Sequence, residues 1–199
     1  ALHHALAQTN LSSEDRALAT ELVYGTLRWR GRLDFVIDHA LDRGFDKLEP
    51  LVVTILRVGA YQILFSDRIP HSAAVDESVR CARALGAERA TGLINAVMRR
   101  LAREATSVPL PELASDPLEH LVHALSLPRW LAERWLAEYG AEAAAAFARA
   151  CNEPPPLTIR VNRLRVQRDE LCEALREHFP DARPCRLAPF GIVLGRKAG

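Results

Sequence analysis

Three consecutive prolines, Pro154–Pro156, constrain this 199-residue chain more than any other feature. A proline removes a backbone donor and clashes with the preceding turn, so no helix continues through three of them. Ahead of them the chain is patterned for helices. Behind them, "LTIRVNRL" sets Leu157, Ile159 and Val161 against Thr158, Arg160 and Asn162. That alternation is the period of a half-buried strand, with the first set facing inward and the second outward. The chain changes structural type at the prolines.

From Ser12 to about Glu104 the pattern is helical throughout. "SSEDRALATELVYGTLRW" opens with serine cap candidates and first-turn acids, and places Leu18, Leu22 and Leu27 near one face. "RLDFVIDHALDRG" is expected to end at Gly44 as a C-terminal cap. "LEPLVVTILRVGAYQILF" is apolar on most faces, which predicts a central buried helix. Gly59 inside it weakens the helix, so a close approach to a neighbour is the expected reason for it. "IPHSAAVDESVRCARALG" offers Ser72 as a cap and a stripe of Val75, Val79, Ala82 and Leu85. "ERATGLINAVMRRLARE" sets Leu93, Ile94, Val97, Met98 and Leu101 opposite Arg99, Arg100 and Arg103.

"TSVPLPELASDP", Thr106 to Pro117, has no periodicity and reads as a linker. Three short helical segments follow, roughly Leu118–Leu125, Pro128–Tyr139 and Ala141–Cys151, with Gly140 breaking the last two apart. Behind the prolines, the strand, the amphipathic "QRDELCEALREHF" and a second strand "FGIVLG" outline part of a small unit. The expected fold is mainly α: an all-helical bundle, three short helices, and an incomplete α+β unit. The expected divisions are 1–105, a linker at 106–117, and 118–199.

Hydrophobic residues make up 49% and charged residues 26% of the chain, a globular balance that excludes a disordered tail. The net charge of +1 conceals an asymmetry. Lys47 and Lys197 are the only lysines, so 24 of the 26 basic residues are arginine, whose planar fork suits phosphate and base edges. Abundant alanine makes coding bias the simpler reading of that total. Cys81, Cys151, Cys172 and Cys185 form no C-x-x-C pair, which argues for a reducing compartment and against a zinc ribbon or disulfide scaffold. No apolar run approaches the roughly 20 residues that cross a bilayer, and no signal peptide is visible. The expectation is a cytoplasmic chain without a membrane partner. Ala1 in place of methionine and the closing "LGRKAG" make both ends candidate cuts.

The glycines form neither G-x-G-x-x-G nor a Walker loop, so no backbone cradle for a dinucleotide, ATP or S-adenosylmethionine is expected in this chain. His120 and His123 lie three apart, but Glu119 is a poor third ligand. They read as a packed or surface pair, and no metal is expected. Pro184-Cys185 lacks the small-residue turn that exposes a thiolate, so Cys185 reads as a loop or strand-edge residue. Asp76-Glu77 complements a helix start and needs no catalytic role. No catalytic residue is expected here.

Three basic clusters stand out. "RWRGR" puts Arg28, Arg30 and Arg32 around Trp29. Charge with a stacking ring suits single-stranded or looped RNA; equally, Trp29 plugs the core and the arginines satisfy helix-end carbonyls. Arg99, Arg100 and Arg103 form a second face, for which a solvated helix surface is the simpler reading. Arg160, Asn162, Arg163 and Arg165 form a third, where the shared outward face of Arg160 and Asn162 favours contact with a nucleic acid.

Two stretches resemble a known family. "LVYGTLRWRGRLDFVID", then Ile69-Pro70, Ala74, Glu77, Val79 and "INAVMRRL" (Ile94–Leu101), resemble the all-helical NusB domain. That domain occurs in a transcription antitermination factor and at the front of a ribosomal RNA methyltransferase. "LSLPRWLAERWLAEYG" followed by "NEPPPLTIRVNRL" resembles the next segment of the RsmB (Sun or Fmu) small-subunit rRNA cytosine-5 methyltransferase family. The resemblance covers essentially all 199 residues. It implies an N-terminal region that guides ribosomal RNA to the protein's own C-terminal methyltransferase domain, which would hold S-adenosylmethionine and two catalytic cysteines. None of those downstream motifs lies within the 199 residues, and Cys185 does not carry over as the nucleophile. "ALHHALAQTNLSS" resembles only the tail of that domain's first helix. The alternatives are a NusB-like antitermination or RNA-binding factor without catalysis, and a helical adaptor with no RNA role.

Overall fold

A computed structural model describes residues 2–42 and 44–195. The chain divides into two compact units, Ala1–Asn152 and Glu153–Gly199.

The first unit is helical: α1 (Leu2–Ala7), α2 (Ser13–Arg28), α3 (Arg30–His39), α4 (Pro50–Phe65), α5 (His71–Ala84), α6 (Thr91–Glu104), α7 (Pro117–Glu119) and α8 (Arg129–Asn152). α4 is the central helix that its apolar sequence predicts, burying Val52, Val53, Ile55, Leu56, Ala60, Tyr61 and Ile63. Gly59 lies where a Cβ would stand 2.5 Å from both Met98 Cε and Ser78 Oγ, so α5 and α6 approach α4 over a position that only glycine fits. α6 buries Ile94, Val97, Met98 and Leu101 and turns its arginines outward, as its periodicity predicts, but Leu93, expected on the same side, lies at the edge of that stripe and is exposed. Ser12 caps α2, accepting from the Asp15 N–H at 3.1 Å.

Several local expectations are corrected. α2 buries Gly25 and Thr26, and Leu18 and Leu27 are exposed. A side chain at Gly25 would collide with the Tyr61 ring, so the helix makes its closest contact there and turns the two leucines away. Leu85 is likewise exposed, because α5 ends at Ala84. Ser72 is not the cap of α5. Pro70 holds that place, its carbonyl accepting from Ala74, and its fixed φ starts the helix at His71. Gly44 is not a C-cap. α3 stops at His39, and Gly44, at φ −54°, opens a 3-10 turn over Phe45–Lys47. The Asp46 carboxylate lies 2.5 Å from where its Cβ would be, so close approach explains the glycine.

Within the first unit, residues 121–148 build a smaller core from Leu121, Leu125, Leu127, Ala132, Ala144, Ala145 and Ala148. Alanines at 144, 145 and 148 are fully buried or nearly so, which gives "AEAAAAFARA" its purpose: small side chains let helices close to short distance. α7 runs into a π-helical turn, His120–Ala124. Gly140, at φ +75°, breaks α8 where the sequence places the break.

The second unit is a three-stranded antiparallel sheet in the order β1 (Thr158–Arg160), β3 (Gly191–Val193), β2 (Arg183–Pro184), with α9 (Arg168–Leu175) against it. Ile159 pairs with Ile192 and Arg160 with Gly191. Its core is Val161, Cys172, Ala182, Ile192 and Leu194. Val161 faces inward as expected and Ile159 is half-buried, but Leu157 is 59% exposed because it precedes the paired residues. β2 has no sequence signal: two residues show no alternation, and its proline is tolerated because the strand is an edge.

Candidate nucleic-acid interface

"RWRGR" joins α2 to α3. Trp29 is at once the C-cap of α2 and the N-cap position of α3. Its ring stacks on Phe65, centroids 4.9 Å apart and planes 19° apart, and Phe65 lies 5.4 Å from Tyr61. That ring face is therefore spent on the core. A Cβ on Gly31 would clash with the Val122 carbonyl, so the π-turn segment rests directly on α3. Ser126, at φ +59°, turns its Oγ to accept the Arg32 N–H at 2.9 Å. A residue 94 positions away thus caps α3, a bond no local pattern encodes.

The arginines of this cluster differ in their surroundings. Arg30 lies 3.7 Å from Asp34, a carboxylate already held by Arg57 at 2.6 and 2.7 Å. Arg28 has no ion-pair partner among the described residues. Arg32 is half-buried against the rings of Trp29 and Phe65, and burial holds its guanidinium below the ordinary arginine value.

On α6 Arg99 and Arg103 are exposed and Arg100 is half-buried, and all three are largely spoken for. Arg99 donates to Asn95 at 3.0 Å, Arg100 lies 3.1 Å from Glu104 and 3.5 Å from Asp42, and Arg103 lies 3.5 Å from the same Glu104.

The third cluster is electrostatically bare. No carboxylate among the described residues lies within 4.0 Å of Arg160, Arg163 or Arg165. The Arg163 guanidinium sits 4.3 Å over the Phe190 ring. A groove of about 420 Å³, lined by Ile159, Arg160, Pro189 and Phe190 among others, opens beside it. Asn162 does not share the outward strand face with Arg160. β1 ends at Arg160, and Asn162 opens a turn: its Oδ1 accepts from Leu164 N–H at 3.1 Å and its carbonyl from Arg165 N–H at 3.0 Å. An Asx turn of this kind competes with strand pairing, which is why alternation fails there. The turn presents Arg163, Arg165 and an almost fully exposed Leu164 together.

His120 and His123 point to different partners. His120 Nδ1 is 2.8 Å from the Pro111 carbonyl, while His123 Nε2 is 2.9 Å from Glu119 and its ring packs 4.7 Å from Phe35. Glu119 also holds Arg129 at 2.5 Å. No group of three or more metal-ligating side chains occurs among the described residues. No described helix is long and apolar enough to cross a membrane.

Residues 1–103 match the NusB family, and residues 127–198 match the ferredoxin-like domain of RsmF/B-like methyltransferases. The chain is 34% identical over 87% of its length to a probable ribosomal RNA small subunit methyltransferase B of Bacillus subtilis. It is 38% identical over 92% of its length to the ribosomal RNA small subunit methyltransferase B of Pseudomonas putida. A Synechocystis relative, a probable methyltransferase of the same description, aligns with the whole chain at 31% identity. The chain spans about two fifths of these relatives, 38%, 41% and 44% of their lengths respectively, and corresponds to their N-terminal part. The crystal structure of PH0851 has the same fold over 92% of this chain and 40% of its own, with a TM-score of 0.56 at 22% identity. Bundle, capped junction and small antiparallel sheet therefore have one common source: this chain belongs to the NusB family, as an RsmB-like N-terminal NusB domain followed by a ferredoxin-like domain.

Proposed function

We propose that this chain is the RNA-guiding region of an S-adenosylmethionine-dependent small-subunit rRNA (cytosine-5) methyltransferase. Residues 1–105 act as the NusB-like RNA-binding domain, 106–117 as the linker, and 118–199 as the part that leads into the protein's own methyltransferase domain. The chain supplies no catalytic group and no cofactor site. Its chemistry is positioning: holding an RNA segment so that one cytosine reaches an active site elsewhere in the protein.

The observation that carries this reading is the bare cation cluster on the ferredoxin-like unit. Arg160 lines a groove with an aromatic wall, Arg163 lies over that wall at Phe190, and neither they nor Arg165 meets a carboxylate among the described residues. Uncompensated arginines with a ring are what an RNA backbone and an unstacked base require. The arginines of "RWRGR" and of α6 are further proposed RNA contacts on the helical unit, where Trp29 orients its neighbours, and Asn162 shapes the turn on the ferredoxin-like unit. An antitermination factor needs no such ferredoxin-like unit, which disfavours that alternative.

The test is binding of a small-subunit rRNA fragment by the chain and by an Arg160→Ala, Arg163→Ala double variant. The expected outcome is a loss of about tenfold or more, from two charge-assisted phosphate contacts removed. Unchanged affinity in a folded double variant refutes the assignment of this cluster. Labelled methyl groups transferred to RNA by the chain alone would overturn its non-catalytic role.

A further inference from the structure

Arg28 and Arg32 at the α2–α3 junction are both partly removed from water and left with unused donors, and Arg32 alone of the two has a buried Nε without a partner among the described residues. We propose that Arg32 forms a phosphate-binding site of the NusB domain, and this rests on the RNA-guiding reading above. Its Nε is buried without a hydrogen-bond partner. Its Nη1 and Nη2 make no hydrogen bond among the described residues and are not enclosed, so they face solvent. No described carboxylate lies within 4.0 Å of it. By contrast Arg30 and Arg57 share Asp34, Arg100 and Arg103 share Glu104, and Arg129 has Glu119.

The geometry also fixes where this guanidinium sits: its central carbon lies 5.9 Å from the Trp29 centroid and 5.4 Å from that of Phe65, against two rings that stack on each other. The backbone beneath it is pinned by Ser126, the one non-glycine residue with positive φ among those described. Strained backbone of this kind concentrates at functional sites. Ring contact offsets only part of the cost of desolvating a cation. A fork held against two rings, with Nη donors open to solvent and no internal anion, suits the bidentate geometry of phosphate oxygens. The same chemistry serves an RNA phosphodiester or a free phosphate; the proposed source is the RNA backbone.

The experiment follows the Arg32 side-chain resonances by NMR in the full 199-residue chain, assigned with an Arg32→Gln variant. One arm titrates a small-subunit rRNA fragment and the other inorganic phosphate; thermal melts check the fold of Arg32→Gln and of the charge-keeping Arg32→Lys. The expected result is a saturable shift with RNA. Arg32→Gln should bind the RNA about tenfold more weakly, with the slope of log affinity against log salt reduced by about 0.7. Arg32→Lys should fall between, and the same charge change at Arg134 on α8 should cost less. A shift with inorganic phosphate but none with RNA keeps the anion site and overturns the RNA source. Salt-sensitive RNA binding with Arg32 unmoved in both arms overturns the site and leaves the RNA-guiding reading standing. No RNA binding at all sinks that reading, and the phosphate arm then decides the site alone.

Discussion

At Ser126 a strained residue and a useful hydrogen bond coincide. A left-handed backbone costs a non-glycine residue roughly 1–2 kcal/mol, while the Oγ that caps α3 at Arg32 returns about 1 kcal/mol. Ser126→Ala keeps the strain and loses the cap, so urea denaturation should show it less stable by about 1 kcal/mol. Ser126→Gly loses the cap but relieves the strain, and should be the more stable of the two. The reverse order would mean that the Arg32 N–H finds another acceptor. Gly59→Ala is a second test at this scale: its Cβ would stand 2.5 Å from Met98 Cε and Ser78 Oγ, and the overpacking should cost about 1–3 kcal/mol. The need for a small residue at 59 was legible in the sequence, since a glycine inside an apolar helix costs stability that close packing must offset. Ser126 was not, because its role lies in a bond across 94 positions.

Among the elements, the helices and strands β1 and β3 announced themselves, and the two-residue edge strand β2 did not. The apolar run of α4 and the 3.6-residue period of α6 predict their buried residues, with Leu93 as the exception on α6. α2 misled for a physical reason. Its buried line runs through Gly25 and Thr26, and small residues carry no hydrophobic signal. The turn after β1 misled because Asn162 answers to its own side-chain hydrogen bond rather than to strand alternation. Charge clusters that look alike in sequence also separate at this scale. Arg100 and Arg103 must release Glu104 and Asp42 before they hold a phosphate, whereas Arg160 and Arg163 release no carboxylate. An Arg99→Gln, Arg100→Gln, Arg103→Gln triple variant should therefore weaken binding to the rRNA fragment less than the Arg160→Ala, Arg163→Ala double variant. A larger loss from the triple variant in a mobility-shift assay would place the main contact on α6 instead.

At the level of the whole molecule, a near-neutral chain holds its cations in unequal environments, so total charge says little about binding. The family was legible from two separated motifs, and its members align over the bundle and the ferredoxin-like unit alike. The chain accounts for about two fifths of its curated relatives, and its proposed task is the guiding half of a division of labour. The most direct test is the affinity of the 199-residue chain for a small-subunit rRNA fragment as salt rises from about 50 to about 200 mM. Three phosphate contacts from Arg160, Arg163 and Arg165 alone give a log–log slope of about −2, so binding should weaken about twentyfold or more across that range. Affinity that stays level with salt, or no binding at the lower salt, would mean that this region does not hold the RNA.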